Sequence, residues 1–288
     1  ILTSANPGTQ KTIIKVLAQR GSKASEDAIL KALKSDDKGV RDEALSALGS
    51  VGTVKTAEAL KKQIGLGNKG IIKALVRIKA DIAPVLVTNW DNNKIEAKEE
   101  ILEILAKHSE QKYFKYAHKK SSSEDKGLKK EALKALKSMT AEKDIPQVLK
   151  LMATLTKSSE KKYAQTAIVY ASSANKSATV TAIRKVFTAA NNNTKEALVQ
   201  LLGRIGGDAA LASLQKISTM PNADIQTEVY RALAKWEGAS DSLKILQIVA
   251  KAKDAKYKTL VARRAIYLLE NNAVKNRAEV AQLGIKIA

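Results

Sequence analysis

Apolar residues recur at helical spacing in residues 35–51, SDDKGVRDEALSALGSV. Residues three and four positions apart share a helix face, which here gathers Val40, Ala44, Leu45, Leu48 and Val51. Asp37 precedes this run, where its carboxylate can accept a hydrogen bond from a free N–H group of the first turn. Gly49 and Gly52 are expected to close the helix. Residues 53–64, TVKTAEALKKQI, predict a second helix that buries Ala57, Leu60 and Ile64.

Nearly the same sequence segment recurs 88 residues later. Residues 123–139, SEDKGLKKEALKALKSM, are identical to residues 35–51 at ten of seventeen positions. Residues 194–217 and 222–238 repeat the pattern, and weaker copies occupy the intervals. Because one helix pair has too little apolar surface to bury alone, its neighbours must carry the same face. Three corresponding leucines are therefore expected in the core: Leu45, Leu133 and Leu233.

The spacing of the copies indicates the architecture. Val40 and Leu128 are 88 residues apart, and Leu128 and Ile225 are 97 apart. Each interval corresponds to three units of about 30 residues, within the range of stacked helical repeats. The sequence predicts an all-α, right-handed α-solenoid of about nine helix pairs, with residues 1–288 as a single domain.

The composition supports helices over sheets. The chain has 14 glycines and 4 prolines in 288 residues, and aromatic residues make up only 4%. A β-sandwich needs more turn residues than this. Cysteine is absent, which excludes disulfides, thiolate metal sites and a cysteine nucleophile. No stretch approaches the roughly 18 apolar residues of a membrane span, so none is predicted.

The stretch Asp37–Gly52 resembles HEAT repeats, in particular the short variety of phycobilisome-lyase-like proteins. In that family an Asp and an Arg at fixed offsets bond across successive repeats. Asp37 and Arg41 match the pattern, whereas Lys129 and Lys195 stand in the place of the Arg. The resemblance thus implies a polar ladder between repeats, weakened where Lys replaces Arg.

A second resemblance covers residues 229–269. This stretch is similar to helical arrays of large secreted bacterial proteins, which are often fused to a lectin-like jelly-roll domain associated with 3-keto-disaccharide hydrolysis. The resemblance implies a periplasmic or secreted protein, with a cytoplasmic one as the alternative. The two end segments, ILTSANPGTQ and AQLGIKIA, also look truncated. The chain is therefore expected to be a fragment of a longer protein.

Candidate catalytic groups fit no recognised constellation. His108 and His118 are ten residues apart, whereas a helical metal pair needs a spacing of four, so they are interpreted as solvated helix ends. A cluster of glutamates is interpreted as a solvated helix face: Glu96, Glu99, Glu100 and Glu103. Trp90 and Trp236 invite comparison with HEAT-like proteins that act on damaged DNA bases, but their positions favour the core. No catalytic residue, metal ligand or cofactor is predicted.

The positive charge is the remaining signal. The net charge is +21, carried by 41 Lys and 9 Arg. Residues 107–120, KHSEQKYFKYAHKK, alternate Lys with aromatic residues, a pattern found in nucleic-acid-binding proteins. The candidate surface for an anionic partner comprises Lys112, Lys115, Tyr116 and Lys119. Sequence-specific contacts to bases and bidentate contacts to phosphates favour Arg over Lys, however. Exposed Lys residues also keep a long helical array soluble.

These observations favour a non-catalytic scaffold over an enzyme. The partner is expected to be a protein or an adjacent domain of the same chain, bound in a groove formed by the second helices of the pairs. Two alternatives stay open: a nucleic-acid-binding HEAT protein, including one that excises DNA bases, and the accessory array of a carbohydrate-active enzyme.

Overall fold

The computed structural model describes residues 4–236, 242–249 and 255–271, together with 278, 279, 281, 282 and 285. All regular structure in these residues is helical, so the all-α prediction is confirmed. The chain divides into two compact units, Ile1–Met139 and Thr140–Ala288. The number of repeats, their handedness and their continuity as one domain stay predictions of the sequence.

Unit 1 contains nine α-helices among its described residues, and short 3₁₀ turns at Trp90–Asn92 and Gln111–Tyr113. The helices are α1 (Pro7–Arg20), α2 (Lys23–Ala32), α3 (Lys38–Val51), α4 (Val54–Lys61), α5 (Lys69–Arg77), α6 (Ala83–Val87), α7 (Ile95–Lys107), α8 (Phe114–Lys120) and α9 (Lys126–Met139).

Unit 2 begins with a 3₁₀ turn at Glu142–Asp144 and contains eight α-helices among its described residues. They are α10 (Ile145–Thr154), α11 (Ser158–Ala171), α12 (Lys176–Ala189), α13 (Asn192–Ile205), α14 (Asp208–Ile217), α15 (Ala223–Ala234), α16 (Ser242–Val249) and α17 (Ala255–Asn271).

Both units are stacks of helix pairs. The first helices of unit 1 pack in the order α1, α3, α5, α7, α9, and those of unit 2 in the order α11, α13, α15, α17. The second helices form a layer of their own in each unit, in the order α2, α4, α6 in unit 1 and α10, α12, α14 in unit 2. The predicted core leucines, Leu45, Leu133 and Leu233, are 6%, 1% and 0% exposed.

In the described part of the chain, none of the helices has the length and apolar character needed to cross a bilayer.

Several first helices start with the same kind of cap. A side-chain oxygen accepts a hydrogen bond from the backbone N–H three residues later, which satisfies a group that the helix leaves unpaired. This bond joins Asp37 to Val40 at 2.8 Å, Asp125 to Leu128 at 2.8 Å, Asn191 to Thr194 at 2.9 Å and Asn222 to Ile225 at 3.0 Å. The capping role predicted for Asp37 is confirmed.

The prediction that Gly49 closes α3 is wrong. The helix continues to Val51, and only Gly52 caps it, with its N–H donating to the carbonyl of Leu48 at 2.7 Å. Gly49 lies inside the helix, where a Cβ atom would stand 3.3 Å from the Cα and the carbonyl oxygen of Ala74 in α5. Glycine at this position lets two successive first helices approach closely.

The polar ladder implied by the family resemblance is not formed by Arg41. Its Nη1 donates to the carbonyls of Ser35 and Asp36, at 2.6 and 2.8 Å, in the loop before its own helix. Lys195, which stands in the place of the Arg, instead lies 5.7 Å from the centroid of the Phe187 ring. Arg41 therefore stabilises the start of one repeat rather than a contact between two.

Both tryptophans are buried in the core, which is the position that the sequence analysis favoured. Trp90 is 5% exposed and Trp236 is 1% exposed. The rings of Trp90 and Tyr116 pack in a T-shaped arrangement at a centroid distance of 5.0 Å. The carbonyl of Trp236 accepts a hydrogen bond from Nε of Arg264 at 2.7 Å, which ties the end of α15 to α17.

A buried carboxylate joins α2 to the start of α4. Glu26 is 2% exposed, and its Oε1 accepts hydrogen bonds from the N–H of Thr53 at 2.8 Å and from Oγ1 of Thr56 at 2.6 Å. Burial by itself raises the pKa of Glu26, but the hydrogen bonds from Thr56 and Thr53 outweigh burial and lower it. The ionised carboxylate is thus the form that the fold stabilises.

We predict that Leu133→Ala lowers the free energy of unfolding by about 2–5 kcal/mol, because it leaves a cavity in a packed core. Leu66→Ala is the matched control, since Leu66 is 73% exposed and its loss should cost less than about 0.5 kcal/mol. Urea titration followed by circular dichroism measures both. Equal denaturation midpoints for Leu133→Ala and the unaltered chain would show that α9 does not bury this face.

We predict that Glu26→Gln destabilises the protein by about 1–3 kcal/mol at pH 7, since the threonine donors lose a charged acceptor. The pKa of Glu26 is lower in the folded chain than its ordinary value of 4.5. Its stabilising contribution is therefore complete above that value and is lost as the pH falls through the folded value.

The difference between Glu26→Gln and the unaltered chain should accordingly shrink between pH 7 and pH 3, measured as unfolding free energy in urea. Glu58→Gln on the exposed face of α4 serves as the control and should have little effect at pH 7. A difference that is the same at both pH values would rule out this role for Glu26.

Candidate functional site

The described part of unit 2 contains a groove of about 930 Å³. Three first helices line it, α11, α13 and α15, together with the start of α12 and the turn between α13 and α14. These three helices stack directly on one another, so their outer faces form one continuous surface. The sequence predicted a binding groove on the second helices, which stays a prediction, whereas this groove lies on the first helices.

Helical spacing determines which side chains reach the groove. On α11 these are Lys162, Gln165, Thr166 and Val169, which follow one another at helical spacings of three and four positions. Because such residues share one face of a helix, α11 presents a single row of side chains. The corresponding row from α15 comprises Glu228, Arg231 and Ala232, and Lys235 follows the helix.

A chain of hydrogen-bonded side chains crosses the groove from α11 to α15. Nε2 of Gln165 donates to the carbonyl of Ala197 at 2.8 Å and to Oε1 of Gln200 at 3.3 Å. Nε2 of Gln200 donates to Oε2 of Glu228 at 2.9 Å, and Nη1 of Arg231 donates to Oε1 of Glu228. Three successive repeats are thereby joined. This is a ladder between repeats, built at positions other than those of the family pattern.

Arg204 lies in the last turn of α13 and reaches back to α11. Its Nη2 donates to Oγ1 of Thr166 at 3.0 Å, and its Nη1 donates to Oε1 of Gln165 at 3.4 Å. Burial lowers the pKa of Arg204, but a guanidinium stays charged at neutral pH. Since a guanidinium has five N–H donors and these two bonds use two, three remain for a bound ligand.

The helices approach closely beneath the groove. A Cβ atom on Gly203 would lie 2.8 Å from the Cβ of Ala232, a distance that real side chains do not tolerate. Gly203 thus lets α13 and α15 approach closely, as Gly49 does for α3 and α5. Trp236 also lines the groove, although only 1% of its surface is exposed.

The turn that leads into α14 depends on glycine. Gly206 and Gly207 have φ angles of 68° and 85°, in the left-handed region that side chains with a Cβ atom avoid. No atom lies within 4 Å of the position that a Cβ would take on either residue. This end of the groove is therefore open.

The groove is strongly cationic. Five of its lining residues are basic, Lys162, Lys176, Arg204, Arg231 and Lys235, and Glu228 is the one acidic residue among the described lining. Glu228 forms an ion pair with Arg231, while the three lysines are exposed. A cleft with one sign of charge concentrates its field and attracts ions of opposite sign. The geometry therefore suits an anionic ligand.

The basic residues predicted as a site lie in unit 1. Lys112, Lys115 and Lys119 are all exposed. Lys112 forms an ion pair with Asp81 at 2.8 Å, and their hydrogen bond raises the pKa of Lys112 and lowers that of Asp81. Lys112 is thus already neutralised by a protein carboxylate, whereas Lys115 and Lys119 project from α8.

The aromatic residues of this basic run pack against the protein. Tyr116 is half-buried between the rings of Trp90 and Tyr113, at centroid distances of 5.0 and 6.0 Å. Nζ of Lys115 lies 5.2 Å from the centroid of the Tyr116 ring. Stacking on nucleic-acid bases needs an open aromatic face, and Tyr116 already uses its ring for these contacts.

The histidines are less solvated than expected. Both are half-buried. Nε2 of His108 lies 2.9 Å from the carbonyl of Leu75, and the ring of His118 lies 5.2 Å from that of Phe114. The described residues contain no group of three or more His, Cys, Asp or Glu side chains that could hold a metal ion.

The interpretation of the glutamate cluster on α7 as a solvated helix face is only partly confirmed. Glu96 and Glu103 are exposed, as predicted, but Glu99 and Glu100 are half-buried. Oε2 of Glu100 accepts a hydrogen bond from the N–H of Gly65 at 2.6 Å. Burial raises the pKa of Glu99, and neighbouring carboxylates raise it further. Glu100 therefore has a structural role in fixing the loop at Gly65.

Sequence reasoning missed the groove of unit 2. A signal was present, because a cation lies near the end of the first helix or at the start of the second in three successive repeats: Lys176, Arg204 and Lys235. The signal is hard to recognise in a chain with 50 basic residues. Only the stacking of α11, α13 and α15 shows that these three belong to one surface.

Comparison with known proteins gives a family match for the first part of the chain. Residues 1–79 match the family described as HEAT repeats. The resemblance first read from Asp37–Gly52 is thus confirmed, and the two repeats that contain α1 to α4 belong to the matched region. No curated protein matches the chain.

Several solved structures resemble the fold at low identity. One is an engineered protein, 19% identical, with a TM-score of 0.43, covering 99% of this chain and 97% of the other. Another is the complex of CpcE and CpcF of phycocyanin lyase from Nostoc sp., 14% identical, with a TM-score of 0.34 and coverages of 91% and 94%. A third is an archaeal HEAT-like repeats protein from Thermococcus onnurineus, 14% identical, with a TM-score of 0.29 and coverages of 95% and 93%.

At these identities and scores the resemblances carry no argument about function. The likeness of residues 229–269 to secreted bacterial arrays stays a prediction, and residues 237–241 and 250–254 of that stretch lie outside the described residues.

We predict that Gly203→Ala destabilises unit 2 by about 1–2 kcal/mol, because its methyl group would overlap Ala232 and separate α13 from α15. This loss should appear although alanine normally stabilises a helix by about 0.5–1 kcal/mol relative to glycine. Gly8→Ala in α1 is the matched control, since its Cβ would lie 3.4 Å from Oδ1 of Asn6, and it should be neutral or stabilising. Thermal unfolding that ranks the two variants in the reverse order would contradict the close helix approach.

Proposed function

We propose that this chain is a non-catalytic helical-repeat scaffold that binds another protein, or an adjacent domain of its own chain, in the groove of unit 2. The observation that carries the proposal is the cationic groove on the stacked helices α11, α13 and α15. Stacked repeats commonly use such extended surfaces for binding. The HEAT-repeat match of residues 1–79 supports the same general role.

The groove is formed before any partner arrives. The hydrogen bonds from Gln165 to Gln200 and from Gln200 to Glu228 hold the three helices in register. Arg204 is held in place by Thr166. Because these side chains are already ordered, binding costs less conformational entropy than it would on a mobile surface.

The chemistry of the groove suits binding better than catalysis. General acid–base catalysis needs a group that can exchange a proton with the substrate. Glu228, the one carboxylate among the described lining residues, accepts hydrogen bonds from Gln200 and Arg231. Both carboxylate oxygens are thus already bound by neighbouring side chains, which is a structural role.

Nucleic acid is the second candidate partner, favoured by the exposure of Lys115 and Lys119 on α8. The packing of Tyr116 against Trp90 weakens this alternative, since it occupies the ring that would stack on a base. Binding through Lys alone would be a sequence-independent phosphate contact. A periplasmic or secreted location and a fusion to a sugar-active domain stay proposals that rest on the second family resemblance.

The proposal predicts which lysines matter for partner capture. The chain is immobilised and exposed to an extract of its source cells at physiological salt, and retained proteins are identified by mass spectrometry. The groove variant, Lys162→Glu with Lys176→Glu and Lys235→Glu, should lose at least one protein that the unaltered chain retains. Nuclease treatment should not release that protein.

The matched control changes the same charge elsewhere in unit 2: Lys150→Glu, Lys185→Glu and Lys216→Glu, all exposed on second helices. It should retain the partner, as should Lys112→Gln with Lys115→Gln and Lys119→Gln in unit 1. Submicromolar duplex DNA binding that the unit 1 triple variant abolishes would overturn the proposal in favour of nucleic acid. A retained set that is identical for the groove variant and the control would also overturn it.

A further inference from the structure

We infer that Arg204 is the residue by which the groove of unit 2 holds its partner, through one carboxylate bound by two parallel hydrogen bonds. The inference rests on the proposed function and names the chemical group that is recognised. Such a carboxylate belongs to an aspartate or glutamate side chain, or to the C-terminus of the partner. A planar guanidinium matches a planar carboxylate in this way, which makes Arg204 a specificity-determining residue.

Arg204 is a cation without a counter-ion among the described residues. It lines the groove and is exposed there, yet the protein atoms around it displace enough water to lower its pKa. The phenol of Tyr170 is the one group that raises this pKa, and no carboxylate contributes. Glu228 forms its ion pair with Arg231 instead. A cation that has lost part of its hydration and gained no opposite charge favours an incoming anion.

The guanidinium of Arg204 is held in one orientation by two fixed acceptors. Oγ1 of Thr166 donates its hydrogen to the carbonyl of Lys162 at 2.8 Å, which leaves its lone pairs to accept from Nη2 of Arg204 at 3.0 Å. Nε2 of Gln165 donates to the carbonyl of Ala197 at 2.8 Å, so its Oε1 is the atom that faces Nη1, at 3.4 Å. The binding group is therefore oriented before a partner arrives, which lowers the entropy cost of binding.

The donors that remain suit a carboxylate better than a phosphate. Nε–H and one N–H on each terminal nitrogen of Arg204 are left over, enough for two parallel bonds. The hydroxyl hydrogen of Thr166 and both amide hydrogens of Gln165 are already used within the protein. A phosphate has three strong acceptor oxygens and would need further fixed donors, whereas a carboxylate needs only this planar set.

The other cations of the groove do not offer the same set. Arg231 is bound to Glu228, and this hydrogen bond raises its pKa, so its charge is already compensated. The three lysines of the lining are exposed, and an ammonium group binds an anion as a point charge without a preferred plane. The lysines add attraction for an acidic partner, and Arg204 adds the geometry.

The test follows the Nε–H signals of the nine arginines by two-dimensional NMR of the full chain, at constant ionic strength. Four probes are titrated. Acetyl-Ala-Glu-Ala-amide carries a side-chain carboxylate, and acetyl-Ala-Gln-Ala with a free C-terminus carries a terminal one. Acetyl-Ala-Gln-Ala-amide is the uncharged control, and inorganic phosphate is the fourth probe.

The Arg204 signal should shift and saturate at millimolar concentrations of at least one carboxylate probe, and the probe that binds more tightly identifies the source of the carboxylate. The uncharged peptide should leave the signal in place, and phosphate should bind more weakly. The Arg231 signal is the internal control from the same groove. It should shift much less, because Glu228 already occupies that guanidinium.

Two variants locate the binding, read from the backbone amide signals of Gly206 and Gly207, which line the groove next to Arg204. Arg204→Lys keeps the charge but loses the paired donors, and it should weaken binding of the carboxylate probe by about fivefold or more. Arg263→Lys, on the exposed face of α17, should leave the affinity within about twofold, because a distant exposed charge is screened. If Arg204→Lys does not fold, the shift of the Arg204 signal in the unaltered chain still decides.

The capture experiment separates this inference from the proposed function, because Arg204→Lys should also lose the protein that the groove variant loses. Three results would overturn the inference: no shift of the Arg204 signal with either carboxylate probe, an equal shift with the uncharged peptide, or tighter binding of phosphate than of both. Undiminished capture by Arg204→Lys would overturn it as well. If the groove variant alone loses its captured protein, the scaffold proposal stands without Arg204. If neither variant loses it, both fail.

Discussion

The packing of each first helix against the first helix of the next repeat is the contact on which the rest of this structure depends. Apolar residues at helical spacing supply the buried area, as at Leu133 and Leu233, which are 1% and 0% exposed. Small residues set the distance, because any side chain on Gly49 or Gly203 would meet the neighbouring helix. The faces of α11, α13 and α15 form one surface because these helices stack closely. The groove of unit 2 therefore depends on this close packing.

Polar side chains then fix the register of the stacked helices. Glu26 binds the start of α4 through Thr53 and Thr56, and Gln165 bonds to Gln200, which bonds to Glu228. A buried polar group that loses its partner is costly, so these bonds select one relative position of the helices over neighbouring ones. The same bonds order the lining of the groove, and stability and binding thus draw on one set of residues.

Charge separates the two basic surfaces of the chain. In unit 1, Lys112 is paired with Asp81, and Tyr116 packs on Trp90, so much of the predicted site serves the fold. In unit 2, Lys176 and Lys235 are exposed beside Arg204 in a groove with a single acidic residue among its described lining. The second arrangement concentrates charge on a preformed surface, which is what recognition of an anionic partner requires.

The sequence by itself determined the helical character of the chain and the inward face of its clearest repeats. The cap at Asp37 and the core positions of the repeats were readable, because they depend on residues three or four positions apart. Contacts between residues about 30 positions apart were not readable. The role of Gly49, the partner of Glu100 and the gathering of Lys176, Arg204 and Lys235 into one groove all depend on which helix faces cross, and at what distance. Tertiary packing decides these features, since spacing along the chain does not encode the separation of two helices in space.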